Sequence, residues 1–260
     1  MKSKRKNILV CNDDGANAKG LHALIEMVKP YGDVIVVVSE TTQSGMSHSI
    51  SISKPLRAVL RHEEIGYKFY TVDGTPVDCV KLALNKLCEV QPDIMVSGIN
   101  HGSNAAISVV YSGTMGAAIE AALFGIPSIG FSLLDFSPNA NFELVQKFGL
   151  SIFEAVLENG LPNQVALNVN FPVVEEKQFK GIKICRQTSG VWKEEFDARV
   201  DPFGRKYYWL TGSFINSEPL AEDTDEWALR NNFASVVPVF PNFTDYESMK
   251  LLKNMNIENE

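Results

Sequence analysis

The sequence predicts an α/β fold, a Rossmann-like and mostly parallel sheet flanked by helices, because two patterns alternate along its first half. Short, continuous apolar runs are typical of strands buried on both faces, and the segments between them repeat apolar residues at helical spacing. The chain has 260 residues, of which 45% are hydrophobic and 21% charged. A chain of this size and composition buries a core that needs neither disulfides nor a structural metal.

Apolar runs and apolar periodicity position the elements of the first half. Continuous apolar runs predict parallel strands at residues 8–11, 34–38, 94–96 and 128–131. Helical spacing of apolar residues predicts helices around 21–28, 77–87, 115–124 and 142–157. Residues 49–60 and 67–72 alternate apolar and polar side chains around a polar turn at 62–66. They predict an antiparallel excursion from the parallel sheet.

The C-terminal part differs in composition. Two further strands are predicted at 165–169 and 182–185, whereas residues 191–214 are rich in aromatic and charged residues and predict a long hairpin arm that turns at 202–204. Such an arm cannot bury its own aromatic side chains, so we expect it to pack on another subunit. The acidic stretch 218–226 is expected to be solvated, and 246–255 predicts a closing helix.

These elements indicate a single α/β domain over residues 1–260. We expect the core to occupy about residues 1–170, and the arm and oligomerisation region to occupy about residues 171–260.

The charge balance and the residue counts exclude several functional classes. The formal net charge of −7 disfavours a nucleic-acid partner. No segment approaches the roughly 20 apolar residues of a membrane helix, so we expect a cytoplasmic protein without a membrane partner. The four cysteines form no C-x-x-C pair, and the four histidines lack zinc-site spacing.

Polar clusters follow three of the predicted strands, at residues 12–15, 39–49 and 97–104. In an open parallel sheet, ligands bind outside the carboxyl ends of the strands, where the strand order reverses. We therefore expect these three loops to converge on one edge of the sheet.

Adjacent carboxylates at Asp13 and Asp14 suggest a metal site on this edge. Like charges disfavour joint ionisation unless a cation lies between them. The alternative, and the more frequent case for an isolated Asp-Asp-Gly, is a turn with Asp13 as a helix cap. Neutral oxygen ligands on the other loops are available at Ser44, Ser47 and Asn100. Such a set suits magnesium or manganese rather than zinc.

A second feature is the segment 111–118, where Ser112 or Thr114 can cap a helix whose free amides would face an anion. An ordinary capped helix is the alternative. Thr75 as a cap followed by Pro76 explains the segment 74–78 structurally. His48 is expected to be a packing or loop histidine rather than a catalytic base.

Other nucleotide chemistries lack their motifs. The sequence has neither a Walker A motif nor a G-x-G-x-x-G after a strand. A phosphatase that forms an aspartyl-phosphate would need a nucleophilic aspartate two residues before its acid. The residues at that position before Asp14 and Asp73 are Asn12 and Thr71, and neither is a carboxylate nucleophile. Attack by a metal-activated water is the better expectation.

Five blocks occur in order at residues 12–15, 44–49, 74–80, 97–100 and 111–114, with Ala18, Gly20, Ala117, Ala118 and Glu120 beside them. Together they resemble the SurE family of survival proteins and 5'-nucleotidases. They cover roughly the first 130 residues, and their order is more specific than any one block. Asp225 and Ala228 match the family's C-terminal pattern weakly.

The resemblance implies a Rossmann-like domain whose C-terminal region exchanges elements between subunits in a homodimer or tetramer. It implies hydrolysis of nucleoside 5'-monophosphates to nucleoside and phosphate with one divalent cation, magnesium or manganese, per subunit. Carried over by motif, the metal ligands are Asp13, Asp14, Ser44 and Asn100. The phosphate would meet Asn104, Ser112, Gly113 and Thr114.

In this mechanism Asp13 is the catalytic residue, which holds the metal and helps to take the proton of the attacking water. Ala106 departs from the family pattern, in which glycine is common, and it is expected to stiffen the loop near Asn104. The alternatives are a broader phosphatase for 3'-nucleotides or short polyphosphate, and a nucleotide-binding stress protein without activity.

Overall fold

The computed structural model describes residues 5–193 and 195–255, which form a sheet flanked by helices. The strands are β1 Lys6–Cys11, β2 Gly32–Ser39, β3 Ala58–Glu64, β4 Tyr67–Val72, β5 Ile94–His101, β6 Ser128–Leu133, β7 Ala166–Phe171, β8 Gly181–Ile184, β9 Gly190–Lys193, β10 Phe196–Val200, β11 Lys206–Leu210, β12 Ser213–Asn216 and β13 Phe233–Val239. The α-helices are α1 Lys19–Val28, α2 Pro76–Leu82, α3 Gly113–Leu123, α4 Glu143–Asn159, α5 Asp225–Arg230 and α6 Tyr246–Lys253.

The main sheet has nine strands in the order β3-β4-β2-β1-β5-β6-β7-β13-β8. The strands from β4 to β7 in this order run parallel, whereas β3 and β13 pair antiparallel with β4 and β7. The chain builds outward from β1 through β2 and then crosses to β5 on the other side. The strand order therefore reverses between β1 and β5, the position where open α/β sheets bind ligands.

Helices cover both faces of the sheet, and the sheet separates two hydrophobic layers. On one face, α1 and α4 bury Leu24 and Phe153 against the sheet. On the other, α2 and α3 bury Val80, Met115 and Ala118. Both faces of the parallel strands are covered, which explains why their sequences are continuously apolar rather than alternating. The prediction of an α/β fold with a mostly parallel sheet is confirmed.

The predicted antiparallel pair is present as β3 and β4 at the edge of the main sheet, but its first strand begins later than the sequence predicts. β3 begins at Ala58 and continues through Glu64, and β4 pairs parallel with β2 within the main sheet. Residues 49–57 lie outside the strands because the N-terminal end of α2 holds them: the Thr75 hydroxyl donates to the Ser49 carbonyl at 2.7 Å, and the Ser51 amide donates to Asp78 at 2.9 Å. The alternation of apolar and polar residues in this segment therefore lies in a loop that is hydrogen-bonded to α2, and not in a strand.

The acidic stretch 218–226 is not fully solvated, contrary to the sequence prediction. Thr224 and Asp225 are 0% and 1% exposed. Thr224 caps α5, and the Asp225 carboxylate accepts hydrogen bonds from the backbone amides of Ala106 and Thr188 at 2.8 and 3.0 Å. A buried carboxylate is stable here because backbone donors surround it.

The predicted arm is a long hairpin built from two antiparallel pairs, β9 with β12 and β10 with β11. Its aromatic side chains are largely exposed, with Phe203 83% and Trp209 60% accessible. The closing helix is also present, as α6. Among the described residues, we found no helix with the length and apolar character of a membrane span.

The packing of α1 on β5 depends on Gly20. A Cβ at this position would lie 2.0 Å from the Ile99 carbonyl oxygen, which belongs to the backbone and cannot rotate away. The absence of a side chain therefore sets how closely α1 approaches the strand that leads into the loop at 97–104.

We expect Gly20→Ala to lower the free energy of unfolding by at least about 2 kcal/mol, because α1 must move off β5. Urea denaturation followed by circular dichroism measures the change. The control is Lys19→Ala, an exposed neighbour on α1, which should change stability by about 0.5 kcal/mol or less. Equal stability of the two variants would contradict the close-packing argument.

Candidate functional site

The three polar loops meet at the carboxyl edge of the sheet, where β1 lies beside β2 and β5. The Gln43 amide donates to the Asp13 carbonyl at 2.7 Å, and the His101 amide donates to the Asp14 carboxylate at 3.2 Å. The loops after β2 and β5 are thus fastened to the loop after β1, as the sequence predicts from the parallel strand order.

A cavity of about 690 Å³ opens between these loops and the arm. It is lined by Asp13, Asp14, Ser44, Gly45, Asn100, His101, Ser103, Asn104, Ser108, Tyr111, Ser112, Phe136, Trp192, Glu195, Leu210 and Thr211. The predicted metal ligands all belong to this lining, as do Asn104 and Ser112. Of the predicted phosphate-binding residues, Gly113 and Thr114 are buried behind it, against Asp13.

The Asp13 side chain is 4% exposed and lies against the beginning of α3. The Thr114 hydroxyl donates a short hydrogen bond to Asp13 Oδ1 and lies 3.4 Å from Asn100 Oδ1. Gly113 packs on the Asp13 side chain: an added Cβ would lie 2.8 Å from Asp13 Cβ. Glycine at this position therefore allows the first amides of α3 to come close to the carboxylate.

Burial raises the proton affinity of both carboxyl groups of the pair, Asp13 and Asp14. Burial raises the pKa of Asp13 to about 6; the hydrogen bond from Thr114 opposes this shift, and the charge of Asp14 adds to it. Burial also raises the pKa of Asp14, against the hydrogen bond from the His101 amide. Ionising both groups is therefore costly unless a cation compensates their charge.

The α3 helix begins at the site with a capped N-terminus. Ser112 is the N-cap, and its Oγ accepts a hydrogen bond from the Met115 amide at 3.0 Å. Of the two predicted caps, Ser112 therefore has that role, and Thr114 instead binds Asp13. A capped helix N-terminus beside a ligand cavity is a common binding site for phosphate.

Asn104 is turned inward and fixed by the sheet. Its side-chain nitrogen Nδ2 donates to Ser132 Oγ at 2.9 Å, and its backbone amide donates to Asn170 Oδ1 at 2.8 Å. The Asn168 side chain donates to the Asn104 carbonyl, also at 2.8 Å. Sequence reasoning missed Asn168 and Asn170, although two polar residues spaced by two in the otherwise apolar run of β7 are a recognisable signal.

The loop that follows Asn104 is also tied to the C-terminal part. Ala106 has a φ of +51°, a left-handed conformation that glycine adopts more easily. Its amide donates to Asp225 at 2.8 Å. This hydrogen bond holds an otherwise disfavoured backbone conformation next to the site, and the sequence alone gave no partner for Asp225.

A partly buried polar cluster around Glu120 holds the loop that carries Ser44. His48 Nε2 lies 2.8 Å from Glu120 Oε2 in α3, and Lys81 of α2 also bonds Glu120. Ser47, a predicted neutral ligand, instead donates its hydroxyl to the Val110 carbonyl at 2.6 Å. His48 lies outside the cavity lining, and its partner is a carboxylate that is 4% exposed.

Comparisons with known proteins give one consistent result. A family model described as survival protein SurE matches residues 8–194. A 5'-nucleotidase SurE of Christiangramia forsetii is 51% identical over 259 residues, covering 99% of both chains. Another, of Flavobacterium psychrophilum, is 49% identical and covers 96% of this chain and 97% of its own. The crystal structure of a SurE protein from Aquifex aeolicus matches with a TM-score of 0.81 and 37% identity, over 96% of this chain and 99% of that one.

The raised pKa of Asp13 makes a prediction for stability in excess chelator. A carboxyl whose pKa is higher in the folded than in the unfolded protein favours folding while it is protonated. That contribution is complete below about pH 4 and is lost as the pH rises to about 6. Asp13→Asn should therefore be more stable than the unmodified protein at pH 8, by on the order of 2–3 kcal/mol.

Urea denaturation at pH 4 and at pH 8 measures the difference. The measurement at pH 4 is the control, because the neutral carboxyl and the amide are then nearly equivalent. If Asp13→Asn gains no stability over the unmodified protein between pH 4 and pH 8, the claim that burial raises the pKa of Asp13 is wrong.

Proposed function

The chain belongs to the survival protein SurE family, and from this we propose that it is a nucleotide phosphatase, a 5'-nucleotidase that hydrolyses nucleoside 5'-monophosphates to nucleoside and phosphate with a divalent cation. The relatives named 5'-nucleotidase SurE support the activity. The observation that carries the proposal is the cavity at the switch point of the sheet, which joins the Asp13–Asp14 pair to the N-terminal end of α3.

The donor set fits magnesium or manganese. Asp13, Asp14, Ser44 and Asn100 all offer oxygen, which these cations prefer. Among the described residues, no group of three or more histidine, cysteine, aspartate or glutamate side chains is arranged to hold a metal. A cation bound by the two carboxylates and the neutral oxygens would relieve the cost of ionising the buried Asp13.

A bound divalent cation would polarise a phosphate oxygen and lower the pKa of a water. The chain supplies the remaining parts. Thr114 fixes the orientation of Asp13 through Oδ1, which leaves Oδ2 to accept the proton of the attacking water. Ser112 and the first amides of α3 would hold the phosphate and stabilise the charge on its oxygens as the ester oxygen leaves, whereas the predicted phosphate contact of Thr114 is replaced by its bond to Asp13. Gly113 lets those amides approach Asp13. Asn104, bonded to Ser132 and Asn170, would hold the loop beside the phosphate.

We also propose that the chain works as a homodimer or tetramer. The aromatic residues of the arm support this, because an isolated hairpin exposes large apolar side chains that another copy could cover.

We expect hydrolysis of adenosine 5'-monophosphate in the presence of magnesium or manganese, and loss of activity in excess chelator. Asp13→Asn should lower kcat at least about 100-fold, because the variant loses the negative charge and the proton acceptor. A panel of 5'- and 3'-nucleotides and tripolyphosphate, each with both metals, measures the activity as phosphate release.

The matched control is Asp33→Asn, a partly exposed aspartate at the N-terminal end of β2 and outside the cavity lining, which should keep near-normal turnover. Full activity in excess chelator, or in Asp13→Asn, would overturn the assignment.

Light scattering at micromolar concentration should give the mass of a dimer or a tetramer. Trp209→Ser, in an exposed part of the arm, should lower that mass or weaken the association, because it removes apolar surface. A monomeric unmodified protein at these concentrations contradicts the proposal.

A further inference from the structure

We propose that the cavity continues from the phosphate site into an aromatic subsite for the nucleobase, with Phe136 as the surface on which the base stacks. This inference rests on the proposed function, because it concerns the substrate of the same site.

Phe136 is an exposed aromatic residue in a cavity that also contains the catalytic carboxylates. It follows β6, lines the cavity and is 81% exposed. Its ring lies directly on Gly102, where an added Cβ would be 2.2 Å from Phe136 Cε1. Gly102 thus leaves room for the ring to pack on the backbone, while most of the ring stays open to a ligand.

Gly102 connects this ring to the proposed metal ligands. Its carbonyl accepts a hydrogen bond from Asn100 Nδ2 at 2.9 Å, and the amide of the preceding residue, His101, bonds Asp14 at 3.2 Å. The backbone that supports Phe136 is therefore the same backbone that orients Asn100 and Asp14. A ligand whose phosphate meets the site would have its adjoining part next to this ring.

The remaining lining extends the apolar surface. Tyr111, Trp192 and Leu210 line the same cavity and are 53%, 37% and 72% exposed. At about 690 Å³ the cavity falls in the range of about 300–1,000 Å³ typical of small-molecule sites, which is more than a phosphate and a cation require. A nucleoside monophosphate, with a charged group at one end and a flat aromatic base at the other, matches this lining.

The charges of the cavity favour a single phosphate. Asp13, Asp14 and Glu195 are acidic, and the described residues of the lining include no lysine or arginine. One cation and one helix N-terminus can compensate one phosphate, but no cationic side chain is available there for a second or third. The charge of the lining therefore favours a ligand with one phosphate.

The test compares adenosine 5'-monophosphate with ribose 5-phosphate, which has the same ester but no base. In Phe136→Ala, the ratio of kcat/KM for the nucleotide to kcat/KM for the sugar phosphate should fall about tenfold. This is the usual effect of losing one aromatic side chain that stacks on a base. The loss should lie mainly in KM for the nucleotide. Phe136→Tyr keeps a ring and should keep the ratio.

Phe124→Ala is the matched control, because Phe124 is a partly exposed phenylalanine at the end of α3 and outside the cavity lining. Its substrate ratio should equal that of the unmodified protein. An unchanged ratio in Phe136→Ala, or equal losses for both substrates, overturns the subsite.

Calorimetry with the same two ligands separates this inference from the proposed function, since binding needs no turnover. Phe136→Ala should weaken binding of the nucleotide about tenfold and affect ribose 5-phosphate less. If the unmodified protein hydrolyses neither ester with magnesium or manganese, the proposed function fails. Equal binding of the nucleotide by Phe136→Ala and the unmodified protein then still refutes the subsite.

Discussion

The hydrogen bond from the Thr114 hydroxyl to the buried Asp13 carboxylate joins the end of β1 to the first turn of α3. The rest of the site is arranged around this contact. Gly113 leaves space for the carboxylate, the Gln43 amide bonds the Asp13 carbonyl, and burial raises the pKa of the acid to about 6. A carboxyl group that is costly to ionise and held in one orientation fits the proposed cation site, because a cation would offset the cost of its ionisation.

The α3 helix also fixes the loop that carries Ser44. Gly116 faces the backbone of this loop so closely that an added Cβ would lie 2.6 Å from the Ser47 carbonyl oxygen. Further along the same helix, Glu120 bonds His48. The N-terminal end of α3 beside Asp13 and the loop of Ser44 are therefore parts of one packed unit. A shift of this helix would move the proposed metal ligands and the proposed phosphate site together.

Local patterns predicted much of this architecture, and their failures have a physical cause. The strands and helices around the site follow from apolar runs and helical spacing, and the convergence of the loops follows from parallel topology. The segment 49–57 alternates like a strand, but distant groups at Thr75 and Asp78 bind it as a loop. Asp225 lies in an acidic stretch and is buried by amides far away in sequence. Periodicity reports the local environment of a residue, whereas these partners are set by tertiary packing.

The hydrogen bond between the Ala106 amide and Asp225 spans 119 residues and has a consequence for biosynthesis. During translation, the nascent chain presents Asp13, Ser44, Asn100 and Ser112 long before α5 leaves the ribosome. Until then, the left-handed backbone at Ala106 lacks the acceptor that compensates its conformational cost of about 1 kcal/mol or more. The contact that fixes the loop beside the site can therefore form only after a residue 119 positions later has been synthesised.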